Sequence, residues 1–324
     1  MKSIIKKAFL TFGIDHLIRL ANRQPRVIFW HGIDHRDDPN VEQEVFDLEV
    51  FESQIKYLVK FFEVISVEVF EQRFKEKCFS GKEVVLTFDD GYANNLSVVA
   101  PILNKYELPF TVFISTEHID TGCFFPTSIN RIITRGAGLK RIRIPSQNLS
   151  LPLVTNDEIN FASNAIAYLL KSLSVDQVRL ITDELIHNVN PSEWEHLKEK
   201  FKSVRPMTWE EVIALSSKGA TIGSHCKWHI CCHSNQDEKD IKHQIEESKV
   251  IIENKLNIQC KYFAYPNGDY TDFSNNCVNK FYSLGFSTCR RLSASKINNN
   301  AIIPRIAAVG NMDTFRLLFN YYPR

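Results

Sequence analysis

Two short segments combine residue types and spacing that suit chemistry. GSHCKWH places His225 and His229 four residues apart, so a helical turn would bring both imidazoles to one face. LTFDDGY places Asp89 and Asp90 side by side where an apolar run ends. Two imidazole nitrogens and one carboxylate oxygen form a ligand set for zinc or a similar divalent ion, with a position left open for water. Neighbouring side chains leaving a strand end point in different directions, so one aspartate can bind the metal while the other takes a proton from that water. Taken singly, Asp-Gly reads as a polar turn and each histidine as a structural or exposed residue; their joint placement at strand ends favours the site. Cys226, Cys231, Cys232 and His233 offer a rival reading of the second segment as a structural Cys/His zinc site. No paired C-x-x-C knuckles occur and adjacent Cys231 and Cys232 suit one ion poorly, which leaves the thiols as small buried packing groups.

These residues need elements that carry them to one place. RVIFW, Arg26 to Trp30, reads as a buried strand delivering His31 at its end, and VVLTF reads as another ending at the aspartates. Helical spacing in FESQIKYLVKFFEV and LSVVAPILNKY, with the strand FTVFIS after it, gives an alternation of strand and helix. The alternation resumes with the helix TWEEVIALSSKG, the strand ATIGSH, a charged helix from Asp237 to Leu256, the strand KYFAYP, and the stretches FSTCR and IIPRIAAV. Such alternation predicts parallel strands with crossover helices, whose carboxyl ends face one side and gather the loops there. Residues 119–206 break the rhythm, with a loop at Gly136 and Gly138, the basic KRIRI and helical SVDQVRLITDELI; they read as an insertion on the barrel.

The 324 residues, 44% hydrophobic, can bury a large core. A net charge of +1 gives no global attraction to nucleic acid or anionic lipid, which argues against a nucleic-acid partner. Eight cysteines without regular disulfide spacing fit a reducing compartment. The first 25 residues read as a helical segment without signal-peptide features; its apolar face opposite lysines permits peripheral membrane contact. No apolar run is long enough to span a bilayer.

The motifs LTFDDGY at 86–92 and GSHCKWH at 223–229, with the opening VIFWHGI, resemble the polysaccharide deacetylase family, which shares the NodB homology domain and is also called carbohydrate esterase family 4. The resemblance covers about residues 26–118 and 207–310. It implies an irregular (β/α) barrel, here residues 26–318 with a helical insertion at about 119–206 and a tail at 319–324. It also implies metal-dependent hydrolysis of an acetyl group on a sugar. By position, Asp89 would be the catalytic base and Asp90, His225 and His229 the metal ligands, with zinc expected ahead of cobalt, nickel or manganese. AYPNG at 264–268 resembles the family's R-x-P-Y-G element. Ala264 thus replaces the arginine that orients the base, while Asn267 falls where a backbone N–H holds the oxyanion; Tyr92 is expected beside it on the substrate side. Arg305, in IIPRIAAV, is expected to supply the guanidinium, whose planar fork suits a carboxylate. The family's late L-x-H histidine is absent, since no histidine follows His243; either His31 takes its place as the acid from the first strand, or the metal-bound network protonates the leaving amine without it.

The resulting expectation is a cytoplasmic or inner-membrane-surface enzyme that removes an N-acetyl group from an amino sugar, in a surface glycan or its nucleotide- or lipid-linked precursor. Two alternatives use the same barrel: a deformylase or deacylase of another N-acylated amine, and a catalytically weak sugar-binding protein.

Overall fold

The computed structural model describes residues 22, 24–288 and 299–320. Most of the N-terminal helical segment and the end of the C-terminal tail lie outside the described residues.

Strands form where the sequence carries short β-branched and aromatic runs. Those of the main sheet are β1 (Arg26–Trp30), β2 (Glu63–Val64), β3 (Glu83–Phe88), β4 (Thr111–Ile114), β5 (Thr221–Ser224), β6 (Tyr262–Ala264), β7 (Leu284–Ser287), β8 (Ile303–Pro304) and β9 (Ile306–Ala307). Every residue of β1, β3, β4, β6 and β7 is buried, the pattern of a parallel sheet covered on both faces. All neighbours pair in parallel, in the order β8-β7-β6-β5-β4-β3-β1-β9, with β2 also on β3. β8 pairs with β7 at one edge and β9 with β1 at the other, so residues 303–307 bridge both edges and nearly close a barrel. Arg305 is the residue at that seam.

Side-chain alternation divides the strands between two apolar clusters. Val27, Val85, Phe113, Ala264, Phe286 and Ile303 share the smaller one, the barrel interior, which Phe70 of helix Val67–Glu76 closes. Ile28, Trp30, Leu86, Phe88, Val112 and Ile222 face outward beneath the helices.

Between β4 and β5 lie an antiparallel hairpin, Arg141–Ile144 with Leu149–Pro152, and helices including Asn156–Ser172, Val175–Ile186 and Pro191–Lys200. Capping boxes at Thr155 and Ser174 set the starts of the first two. Ile142, Ile166, Ile181 and Phe201 of this segment belong to the same buried cluster as the outward face of the barrel strands, so segment and barrel share one core. Among the described residues, no helix is long and apolar enough to cross a membrane.

Candidate metal centre

The strand ends converge on a cavity of about 470 Å³. β3 delivers Asp89 and Asp90, β1 delivers His31, β5 delivers His225, and β6 leads to Asn267; each of these residues lines the cavity, as does His229.

His225 and His229 meet without the helical turn that their spacing suggests, because residues 225–230 form an irregular loop. Positive φ angles at Cys226 (64°) and His229 (51°) turn the chain sharply, and the two imidazole centroids lie 4.9 Å apart. Asp90 (φ 72°) and Asn267 (φ 58°) share this left-handed conformation. For residues with a Cβ it costs on the order of 1 kcal/mol each and persists only where surrounding contacts enforce it, a pattern common at functional sites. Gly91 (φ 78°) follows in the same turn, and a Cβ on it would meet Ile114 Cγ2 at 2.7 Å. Gly91→Ala is therefore expected to destabilise the fold by roughly 1–3 kcal/mol, read as a lower urea midpoint at unchanged m value.

One ligand atom each from Asp90, His225 and His229 lies within 4.8 Å of the other two. Asp90 Oδ1 is 3.6 Å from His225 Nε2 and 3.2 Å from His229 Nε2, yet it is buried and accepts no hydrogen bond among the described residues. A buried carboxylate oxygen facing two imidazole nitrogens is an arrangement that a cation satisfies. His225 Nδ1 donates to the Ala264 carbonyl at 2.7 Å, which fixes the tautomer and leaves Nε2 with a free lone pair. Burial pushes the His225 imidazole down to about 4, so it is neutral at pH 7, as a ligand must be. The donor set thus fits a divalent ion such as zinc. The thiols make no such set. Cys226 and Cys232 are buried free thiols with sulfurs 4.0 Å apart, and burial raises both the Cys226 and Cys231 thiols.

Asp89 has a different environment. Arg305 reaches it from the barrel seam with two parallel hydrogen bonds, Nη1 to Oδ1 and Nη2 to Oδ2, both 2.7 Å. The guanidinium also donates to Thr87 Oγ1 at 3.3 Å and lies over the Phe29 ring at 4.6 Å, and both partners of the ion pair are buried. Burial by itself would raise the Asp89 carboxyl; the Arg305 charge, with smaller help from His225, outweighs it and holds the group below the usual carboxylate range. Burial likewise opposes ionisation of Asp90, and the imidazoles, His229 first, more than reverse it.

The remaining expected residues fall at different distances from the cavity. His31 is half-buried on its wall, its ring edge-on to Phe29. Tyr92, expected on the substrate side, does not line the cavity. It is fully buried against Phe125, with its hydroxyl 3.5 Å from Ser128 Oγ and its backbone bridged to Pro206. Its position two residues beyond Asp90, after the turn at Gly91, sends the ring into the core instead.

Several cavity residues were not singled out by sequence. Leu170, Lys171, Val175 and Val178 come from the segment between β4 and β5, Trp228 and Ile230 flank His229, and Tyr265 follows β6. Glu44 also lines the wall and pairs with Arg131, which donates to the Val41 carbonyl at 2.9 Å as well. None of these carries a local spacing signal; only Trp228, inside GSHCKWH, and Tyr265, inside AYPNG, lie within motifs.

Protonation should weaken the metal-free fold. His118, fully buried with Nδ1 2.8 Å from the Cys123 carbonyl oxygen, is pushed down to about 4 by burial, as His225 is. Unfolded imidazoles titrate near 6.5, so between about pH 6.5 and 4 the unfolded chain binds protons that the folded chain refuses. The contribution is complete above that window and is lost as pH falls through it, at something on the order of 3 kcal/mol per imidazole. Urea midpoints of metal-free protein at pH 7.5 and 5 should differ accordingly, with the lower value at pH 5.

The family model described as polysaccharide deacetylase matches residues 76–141 and 157–285, and so runs through much of the segment between β4 and β5. Among solved structures, the chain is similar to the Streptococcus pyogenes deacetylase PplD in complex with acetate, at 17% identity and a TM-score of 0.60, over 93% of this chain and 99% of that one. It is also similar to IcaB from Ammonifex degensii, at 14% identity and a TM-score of 0.59, over 93% and 97% of the two chains. A de-N-acetylase from Aggregatibacter actinomycetemcomitans matches at 14% identity and a TM-score of 0.53, over 87% and 94%. At these identities the likeness is one of fold. No curated protein matches the sequence.

Proposed function

The chain belongs to the polysaccharide deacetylase family, and from that premise we propose that it is a metal-dependent hydrolase that removes an N-acetyl group from an amino sugar of a glycan or glycan precursor. The observation that carries this reading is the placement of Asp89, locked by Arg305, next to the buried Asp90, His225 and His229 cluster. The acetate bound to PplD supports acetyl as the acyl group.

In this reading Asp90, His225 and His229 hold the ion, with zinc the first choice. When bound, the ion polarises the amide carbonyl and makes water easier to deprotonate. Asp89 accepts the proton of the attacking water on a lone pair that Arg305 leaves free, since a carboxylate has about four acceptor sites and the fork takes two. Arg305 holds the carboxylate in line and keeps it ionised. The backbone N–H of Asn267, on the cavity wall, donates to the developing oxyanion. His31, also on the wall, gives a proton to the departing amine nitrogen. The products are acetate and the free amine.

The test is acetate release by the metal-reconstituted protein from N-acetylhexosamine oligomers and from nucleotide-linked and lipid-phosphate-linked N-acetylhexosamines. Release from at least one conjugate is expected. With metal bound, no release from any of them would remove the proposal, and formate release from N-formyl analogues alone would reassign the acyl group.

A further inference from the structure

The two imidazoles of the cluster are held in unlike ways. His225 is oriented by the hydrogen bond from Nδ1 to the Ala264 carbonyl. His229 sits in a left-handed backbone conformation, with its Nε2 toward Asp90, and no hydrogen-bond partner for its Nδ1 occurs among the described residues. Metal-binding imidazoles generally need such a partner to fix the ring. What packs around His229 instead comes from the segment between β4 and β5, while Gln244 of helix Glu238–Leu256 ties the preceding backbone by accepting from the Lys227 and Trp228 N–H groups. Phe125 meets the His229 ring edge-on, with centroids 5.3 Å apart. The preceding residue, Trp228, lies under the Arg179 guanidinium at 4.2 Å. Arg179, on helix Val175–Ile186, is itself fixed by a two-pronged ion pair with Glu117, at 2.7 and 2.9 Å. Glu117 is tied to the same loop through its backbone N–H, which donates to the Lys227 carbonyl at 2.7 Å. Beyond His229 the loop is tied again: Gln236 Nε2 donates to the Leu173 carbonyl, and Gln236 Oε1 accepts from the Val175 N–H.

We infer that the segment between β4 and β5 braces the strained loop 226–236, with Arg179, through Trp228, and Phe125 acting as positioning residues that hold His229 as a metal ligand. This rests on the metal site of the proposed function and adds a role for the segment besides lining the cavity. The strain makes the brace necessary, because a loop held at φ 64° and 51° by residues with a Cβ relaxes when its restraining contacts go. A relaxed loop leaves His225 in place and displaces His229, which turns a three-ligand site into a two-ligand one.

The test is zinc affinity of the full chain, measured without substrate by competition with a chromophoric chelator. Arg179→Ala and Phe125→Leu should each weaken zinc binding by roughly 10-fold, within the range seen when groups supporting a ligand are removed. Arg179→Lys, which keeps the charge and loses the fork, should fall between wild type and Arg179→Ala. Arg141→Ala, in the hairpin of the same segment, should bind zinc as wild type does, and metal-free unfolding midpoints serve as the control for global damage. Affinities within twofold of wild type for Arg179→Ala and Phe125→Leu would overturn the brace, as would an equal loss in Arg141→Ala. If Arg179→Ala fails to fold, Phe125→Leu decides by the same criterion. A wild-type protein that binds no zinc, cobalt, nickel or manganese would remove the metal site itself, whereas normal wild-type binding with unaffected variants removes the brace alone.

Discussion

Asp89→Asn is expected to lower acetate release by roughly 10²–10⁴-fold while zinc stays bound with wild-type affinity, because the substitution removes the proton acceptor and leaves the three ligands untouched. The amide keeps the shape of the carboxylate but cannot take a proton from water. It also leaves the Arg305 guanidinium buried opposite a neutral group, so stability should fall by several kcal/mol. The two effects separate by measurement. Single-turnover acetate release at saturating metal reads the chemistry, metal content after dialysis reads the ligands, and urea unfolding reads the ion pair. Retained turnover in the variant would show that Asp89 is not the base. A protein that only binds sugar would show no release in either form, and its affinity for the sugar would not follow this substitution.

Removing the other partner should be more damaging to the fold. Arg305→Ala strands Asp89 in a buried site, and breaking a buried pair from one side typically costs about 3–5 kcal/mol. Burial then acts on the Asp89 carboxyl unopposed by its main counter-charge, so its pKa rises. If Asp89 must be ionised to act, the acidic limb of the activity profile moves to higher pH by an amount that kinetics can read. An unmoved limb in folded, metal-bound Arg305→Ala would show that the limb belongs to another group. The family pattern suggests a second-site test. Ala264 lies in the barrel interior with Phe113, and the Arg305 guanidinium sits 5.5 Å from that ring. Ala264→Arg in the Arg305→Ala background should therefore recover part of the stability and return the limb toward lower pH, as the vacated volume accepts a guanidinium from another strand across the barrel interior.

The sequence made some of this architecture legible and hid the rest for identifiable reasons. Apolar runs ending in His31, Asp89–Asp90 and His225 mark strand ends because a strand buried on both faces is mostly apolar, and the titratable residues that follow it mark the mouth. Arg305 was legible from its place in a short β-branched run near the end of the chain, though nothing local says that this run is split between two partner strands with the arginine at the split. The helical turn drawn from the His225 and His229 spacing was not realised: spacing fixes separation along the chain and not backbone hand, and left-handed residues brought the rings together instead. Tyr92 went into the core behind the cavity wall, where burial and the adjacent Asp90 carboxylate push its hydroxyl well up. The Ala264 carbonyl that orients His225 could not have been read at all, since every residue type carries a carbonyl. The cavity wall from Leu170 to Val178 depends on tertiary docking across more than one element, which no local pattern encodes.

The barrel seam has a consequence for how the protein comes into being. Asp89 and Arg305 are 216 residues apart in sequence, and Arg305 lies between β8 and β9, which leave the ribosome after the other described strands of the sheet. Until residues 303–307 dock, β1 and β7 each present an open edge and the aspartate has no counter-charge, so the nascent chain can bury neither the edges nor the carboxylate without cost. Closure of so long a loop is slow compared with local helix formation. Docking of residues 303–307 therefore acts as an assembly checkpoint: until it happens the barrel stays open and Asp89 unpaired, so on the proposed reading hydrolytic capacity appears only after the seam closes.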